Sequence, residues 1–153
     1  MSEDASSLRQ YFTLDHRNCD GIWAEVEATV ETGSDEAVKG VWRRFEAELR
    51  GHLRMEEEIL FPAFEEATGM TGGGPTFMMR AEHDQMRGLL DQMATTVAAG
   101  DFQELLDEGD TLLLLIQQHN QKEEQMLYPM SEQALAASWP ELHDRLEAYR
   151  SER

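Results

Sequence analysis

Four histidines, His16, His52, His83 and His119, and two glutamates, Glu56 and Glu123, have the types and spacing in this chain to hold metal ions. His52 and Glu56 stand four residues apart, as do His119 and Glu123. On an α-helix positions i and i+4 lie about 40° apart in projection and about 6 Å apart along the axis, so each pair points one way. Glu57 and Glu124, one position further on, point about 140° from the histidines and fall to the flank or to a supporting role behind the ligands.

The two pairs belong to one longer pattern, H-x-x-x-E-E-x-x-L-[FY]-P, which the chain writes at His52 to Pro62 and again at His119 to Pro129. The shift is 119 − 52 = 67 residues, and upstream of each copy it also carries Asp15-His16 onto Glu82-His83 and Gly21 onto Gly88. A constant offset without gaps argues for two copies of one supersecondary unit, each with a lone histidine followed by a His-x-x-x-Glu pair. One such pair in a helix usually marks a surface ion pair. Histidine at four matched places is something core packing does not require.

Imidazole and carboxylate together favour Fe, Mn or Zn over the metals that prefer soft ligands, and a carboxylate in a helical bundle can bridge two cations. Two buried acids without partners would be costly. A pair of cations among four imidazoles and two carboxylates removes that cost, so charge balance points to a dinuclear site. Iron fits the mixture best, with Zn or Mn as alternatives.

The elements that must position these residues read as helices. Low proline, nine methionines and few β-branched residues lean that way, and nothing alternates with period two for long enough to make a strand. After a polar arm to about residue 6, a first helix starts with Ser7 or Thr13 as its cap and runs to about Glu31. Ser34 or Asp35 caps a long second helix, which passes His52 and Glu56 and closes beyond Pro62 at Thr68-Gly69. The run Gly69 to Thr76 is the one linker. A third helix spans about 76–99, and a fourth, capped near Asp101, reaches about Leu127. These four make an antiparallel bundle of two helical hairpins over about residues 7–130. A tail over about 131–150, with Leu142, Leu146 and Tyr149 on one stripe, is a fifth helix that lies on the outside of the bundle or meets a second subunit of a homodimer.

With 153 residues the chain is expected to form one all-α domain. Its 31 acidic and 13 basic residues, a net charge of −18, would repel a polyanion and set nucleic acid aside. An acidic start, no apolar run of membrane length and the single cysteine Cys19 lead us to expect a soluble cytoplasmic protein that does not enter membranes. Cys19, three residues after His16, could approach the metals or sit in the core as an inert thiol, the second being favoured. His143 lies in the unrepeated tail and is read as a surface or packing residue. Met55, Met79, Met86 and Met93 are expected to line the core. Gly21 and Gly88 are read as sites of close helix approach or as an access path, close approach being favoured. No nucleophile or general base independent of the metal stands out, so a binding protein is expected rather than an enzyme.

These residues resemble the hemerythrin-like family, the HHE cation-binding domains, whose pattern is one His, a His-x-x-x-Glu, one His and a second His-x-x-x-Glu. The likeness covers about residues 7–130. The stretches His52 to Pro62 and Gly69 to Asp84 are most similar to the di-iron proteins of that family implicated in repair of iron–sulfur centres. The resemblance implies a non-haem centre of two iron ions with Glu56 and Glu123 bridging, His16 and His52 on one iron and His83 and His119 on the other. Oxygen-carrying members place a further histidine one turn from the third-helix ligand, where this chain has Met79 and Arg87. An iron position would then stay open to a small ligand such as oxygen, nitric oxide or peroxide, for sensing, storage or detoxification. Iron donation to damaged clusters and di-iron redox catalysis are the alternatives the resemblance carries.

Overall fold

The computed structural model describes residues 7–152; the polar arm expected over 1–6 lies outside the described residues. Helix α1 spans Leu8–Thr32, and of the two caps the sequence offers, Ser7 is used, its side chain accepting from the Gln10 N–H. Ser34 caps α2, Asp35–Met55, in the same way through Ala37. A five-residue π segment, Glu56–Leu60, joins α2 to α3, Phe61–Thr68, so that the three form one rod ending at Gly69 with φ of 73°. Beyond the linker come α4, Pro75–Ala98, then α5, Phe102–Lys122, a second π segment, Glu123–Leu127, and α6, Tyr128–Ala134.

The π segments fall at the same place in both copies because proline follows at the same place. Pro62 and Pro129 have no N–H to give, and each ring crowds the carbonyl four residues back. The chain responds by widening one turn instead of ending it, and the N–H groups of Phe61 and Tyr128 bond five residues back to the carbonyls of Glu56 and Glu123. The fourth rod therefore runs through Pro129 to Ala134, past the end expected near Leu127.

The rods pack in a ring, α1 against α2 and α5, and α4 against the same two. Two apolar layers fill the interior. One gathers Cys19, Ile22, Trp23, Phe45, Leu49, Met86, Leu90, Met93, Leu112 and Ile116. The other gathers Leu8, Phe12, Met55, Phe61, Phe64, Met79, Leu127 and Tyr128. Each rod crosses both layers, α1 and α4 in one direction and α2 and α5 in the other, which makes the bundle antiparallel. The four methionines are core residues as expected, and Cys19 is buried in the first layer rather than among the candidate ligands.

The tail helix α7 spans Trp139–Glu152, with Pro140 in its first turn, on the outside of the bundle. Leu142 and Leu146 are buried in the second layer, and His143 packs edge-on to the Tyr11 ring and tilted against that of Trp139.

The glycines correct the sequence reading. Gly21 and Gly88 face open space, with nothing within 4 Å of an added Cβ, so neither is a point of close approach. Packing between helices requires instead the unrepeated Gly109, where a Cβ would lie 2.1 Å from Cζ2 of the buried Trp23. Gly109→Ala is expected to lower stability by about 3 kcal/mol and Tm by about 6–12 °C, since a buried indole cannot recede. Gly21→Ala and Gly88→Ala should each raise stability by about 0.5–1 kcal/mol, and thermal melts of the three variants check the opposite signs.

Candidate metal centre

Between the two apolar layers lies one polar layer, and all six residues singled out in the sequence meet there. His16, His52, Glu56 and Glu123 form one group of donors; Glu56, His83, His119 and Glu123 form another, with the donor atoms of each group within 4.8 Å of one another. Every one of the six is at most 3 % exposed. Glu56 and Glu123 belong to both groups. His52 and Glu56 face inward together because the backbone stays α-helical as far as Glu56, whose N–H still bonds to the His52 carbonyl; the π widening begins only there. The second copy repeats this at His119 and Glu123.

Each imidazole turns its Nδ1 outward to a carboxylate. His16 meets Glu124 at 2.7 Å, His52 meets Asp15 at 2.6 Å, and His83 and His119 meet Glu57 and Glu82 at 2.8 Å. Under the shift of 67 residues Asp15 becomes Glu82 and Glu57 becomes Glu124, so these are two contacts written twice. An Nδ1–H donating to a carboxylate fixes the tautomer and presents the Nε2 lone pair to the interior, the arrangement that orients histidine toward a cation.

A basic side chain backs each of the four outer carboxylates. Arg17 lies 3.4 Å from Glu124, Arg87 lies 2.5 Å from Glu57, and Lys122 lies 2.5 Å from Glu82. The fourth, Arg150, comes from α7 and reaches Asp15 at 2.9 Å. By the repeat, the counterpart of Lys122 is Met55, which carries no charge. The Arg150 guanidinium passes 3.9 Å from the Met55 sulfur and does at Asp15 what Lys122 does at Glu82. The tail helix thus completes a symmetry that the duplicated unit leaves broken.

Five inward atoms, Nε2 of His52, His83 and His119, Oε1 of Glu56 and Oε2 of Glu123, are buried without a hydrogen-bond partner. The Nε2 of His83 is 3.1 Å from Glu56 Oε1 and that of His119 is 3.3 Å from Glu123 Oε1. With Nδ1 protonated, such contacts set a lone pair against a carboxylate oxygen. Either a second proton on each ring or a cation between the groups relieves them. Nitrogen and oxygen donors in this number fit a divalent or trivalent transition metal.

Without a cation the protons stay. Burial disfavours the charged His16 ring, but Glu123, Glu124 and Glu56 outweigh it and push its pKa up to about 10. His83 rises to about 9 against the same burial, through Glu56, Glu57 and Glu123. Burial also works against ionising Glu123, yet His119 and His16 hold its carboxyl well below the usual range. Burial raises the Glu57 carboxyl, but His83 and Arg87 prevail and bring it down to about 2. Because the two imidazole pKa values lie above the unfolded value near 6.5, their stabilisation is full below that pH and is lost as pH rises through 9 to 10. Chelator-treated protein is therefore expected to show a falling Tm between about pH 7 and pH 10. Metal-loaded protein should show no such fall, and melts across that range check it.

Tyr128 also enters the layer. Its O–H donates to Glu56 Oε2 at 2.5 Å, and the oxygen lies 3.0 Å from both Glu123 Oε1 and His16 Nε2. Burial, then Glu123 and Glu56, push the phenol well above its ordinary pKa. Tyr128, Asp15, Glu82 and the four basic residues Arg17, Arg87, Lys122 and Arg150 are the residues the sequence reading did not place at the site. Asp15 and Glu82 left a signal, an acid before a histidine in both copies. Tyr128 left a weaker one in the exchange of Phe61 for tyrosine.

The family model described as the hemerythrin HHE cation binding domain matches residues 7–131. Among curated proteins, the iron-sulfur cluster repair protein YtfE of Yersinia pestis (strain Pestoides F) is 46% identical over 44 residues, which is 29% of this chain and 20% of that protein. The protein of the same name from Yersinia pseudotuberculosis serotype O:1b (strain IP 31758) gives the same identity and coverage. The match spans about a fifth of the length of these relatives. No solved structure gives a significant match.

Proposed function

Since this chain belongs to the hemerythrin family of HHE cation-binding domains, we propose that it is a non-haem di-iron protein that binds a small ligand, oxygen, nitric oxide or peroxide, at an open iron position. The observation that carries this reading is the pair of donor groups sharing Glu56 and Glu123. In it, His16 and His52 hold one iron, His83 and His119 the other, and the two glutamates bridge. Bound iron would supply a Lewis-acidic, redox-active centre for the ligand. The chain orients the imidazoles through their outer carboxylates, balances the charge and keeps bulk water out with the apolar layer on either side.

Four imidazoles and two carboxylates provide four donors to each ion when the glutamates are counted twice, which is fewer than an octahedral ion accepts. That shortfall supports an exogenous ligand. Among the described residues no helix is long and apolar enough to cross a membrane, and a single cysteine in an acidic chain accords with a cytoplasmic location. Iron-loaded protein is expected to show visible absorption that azide shifts and nitric oxide alters. Spectra unchanged by every small ligand would contradict the reading.

A second reading, iron supply to damaged iron–sulfur centres, is favoured by the local identity with proteins named for cluster repair. Transfer of iron to an apo iron–sulfur acceptor would support it. Full retention of iron in the presence of that acceptor would remove it.

A further inference from the structure

We propose that Tyr128 is a seventh donor, its phenol oxygen binding the cation held by His16 and His52, so that the two metal positions are unequal and the exogenous ligand binds on the side of His83 and His119. The inference rests on the di-iron reading above and names which half of the centre has more open positions.

Its first support is distance. Two donors on adjacent vertices of an octahedral ion with bonds of about 2.1 Å lie about 3.0 Å apart. The Tyr128 oxygen is 2.5 Å from Glu56 Oε2 and 3.0 Å from both Glu123 Oε1 and His16 Nε2. It therefore keeps from His16 Nε2 and Glu123 Oε1 the separation that ligands of one ion keep from each other, while its proton is held on Glu56 Oε2.

The second support is the duplication. Tyr128 corresponds to Phe61 under the shift of 67 residues, and the two rings occupy equivalent places. Tyr128 stacks on His16 with centroids 5.5 Å apart and planes at 29°; Phe61 stacks on His83 at 5.5 Å and 30°. The same ring thus stands in both halves, with an oxygen in one and none in the other. On the Phe61 side the chain supplies His83, His119, Glu56 and Glu123 and nothing further from that ring. The first ion then has five protein donors and the second has four. Binding there would exchange the phenolic proton for the metal bond and release that proton to solvent. A cation reverses the effect of the two carboxylates on the phenol, because it becomes the largest local charge.

Iron-loaded full-length protein tests the assignment by metal analysis and resonance Raman spectroscopy. The wild type is expected to show ring vibrations of an iron-bound tyrosinate enhanced under a visible charge-transfer band. Tyr128→Phe should lose those vibrations while keeping two irons per chain, and its azide stoichiometry should rise from one to two. Phe61→Tyr should add a second set of tyrosinate vibrations and weaken azide binding at least tenfold. Two irons per wild-type chain without the tyrosinate signature would overturn this assignment and leave the di-iron reading standing. A wild type that takes up no iron would overturn both. The wild-type spectrum decides the question even where a variant fails to fold.

Discussion

Glu56→Ala and Glu123→Ala are each expected to empty both metal positions, taking iron from two per chain to near zero, because each carboxylate belongs to both donor groups. Loss of an outer partner of a ligand costs about 10–100-fold in metal affinity, and loss of a shared ligand should exceed the upper end of that range at both ions. The two cations would also lose an anion between them. By contrast His52→Ala and His119→Ala each remove a donor from one group only, so one position should be weakened more than the other. Metal analysis after equilibration with excess iron, with circular dichroism to show that the helices persist, separates these patterns. Two retained irons in either glutamate variant would show that these carboxylates are not shared.

Asp15→Ala is expected to produce the next largest effect, and on two quantities at once. Asp15 is 4 % exposed and lies between His52 and Arg150. Burial alone would raise its carboxyl, but His52 and Arg150 outweigh that and hold it well below the usual range. Its removal leaves a buried imidazole nitrogen without its acceptor and the Arg150 guanidinium with only Glu147, at 3.7 Å, as counter-ion. Breaking such a buried pair costs about 3 kcal/mol. Iron affinity at the position of His16 and His52 should fall about 10–100-fold as His52 loses its orienting partner. Glu82→Ala is the matched control. It should weaken the other position by a similar factor with a smaller loss of stability, because Glu82 sits nearer the rim and Lys122 can turn to solvent. Metal titrations and melts of both variants, with Arg150→Ala beside them, decide whether α7 supports the centre or only covers the bundle.

The six candidate ligands were legible in the sequence because their signal is local and repeated: His-x-x-x-Glu puts two donors on one helical face, and the second copy shows that the first is no accident. Of the apolar layers, the sequence reading named Met55, Met79, Met86 and Met93, and all four are core residues. What sequence could not place depends on the register between rods. Asp15 and Glu82 stand visibly before His16 and His83, yet each serves a histidine 37 residues away on another helix, a pairing set by how α1 meets α2 and α4 meets α5. Arg150 follows no repeat and lies 135 residues from Asp15. Pro129 read as the end of the fourth helix, since a missing N–H usually stops a helix; here, as at Pro62, a turn of π-helix absorbs the loss. Repetition also misled. The matched Gly21 and Gly88 face solvent, and the glycine that the core cannot replace, Gly109, has a tryptophan against it and no counterpart of its own.

The same duplication explains why a chain with 31 acidic residues can bury carboxylates at its centre. Charges alternate outward from the middle, inner carboxylate, imidazole, outer carboxylate and basic side chain, along four radial paths. Three of those paths end within the duplicated unit and one ends in α7. A cation at the centre would complete the alternation; without one, the neighbouring carboxylates favour protons on His16 and His83.

Iron content per chain, measured on wild-type protein purified from iron-replete cells, tests the central claim most directly. Two irons per chain, lost together in Glu123→Ala, is the predicted result. Folded wild-type protein that carries none, and takes up none on reconstitution, would contradict it.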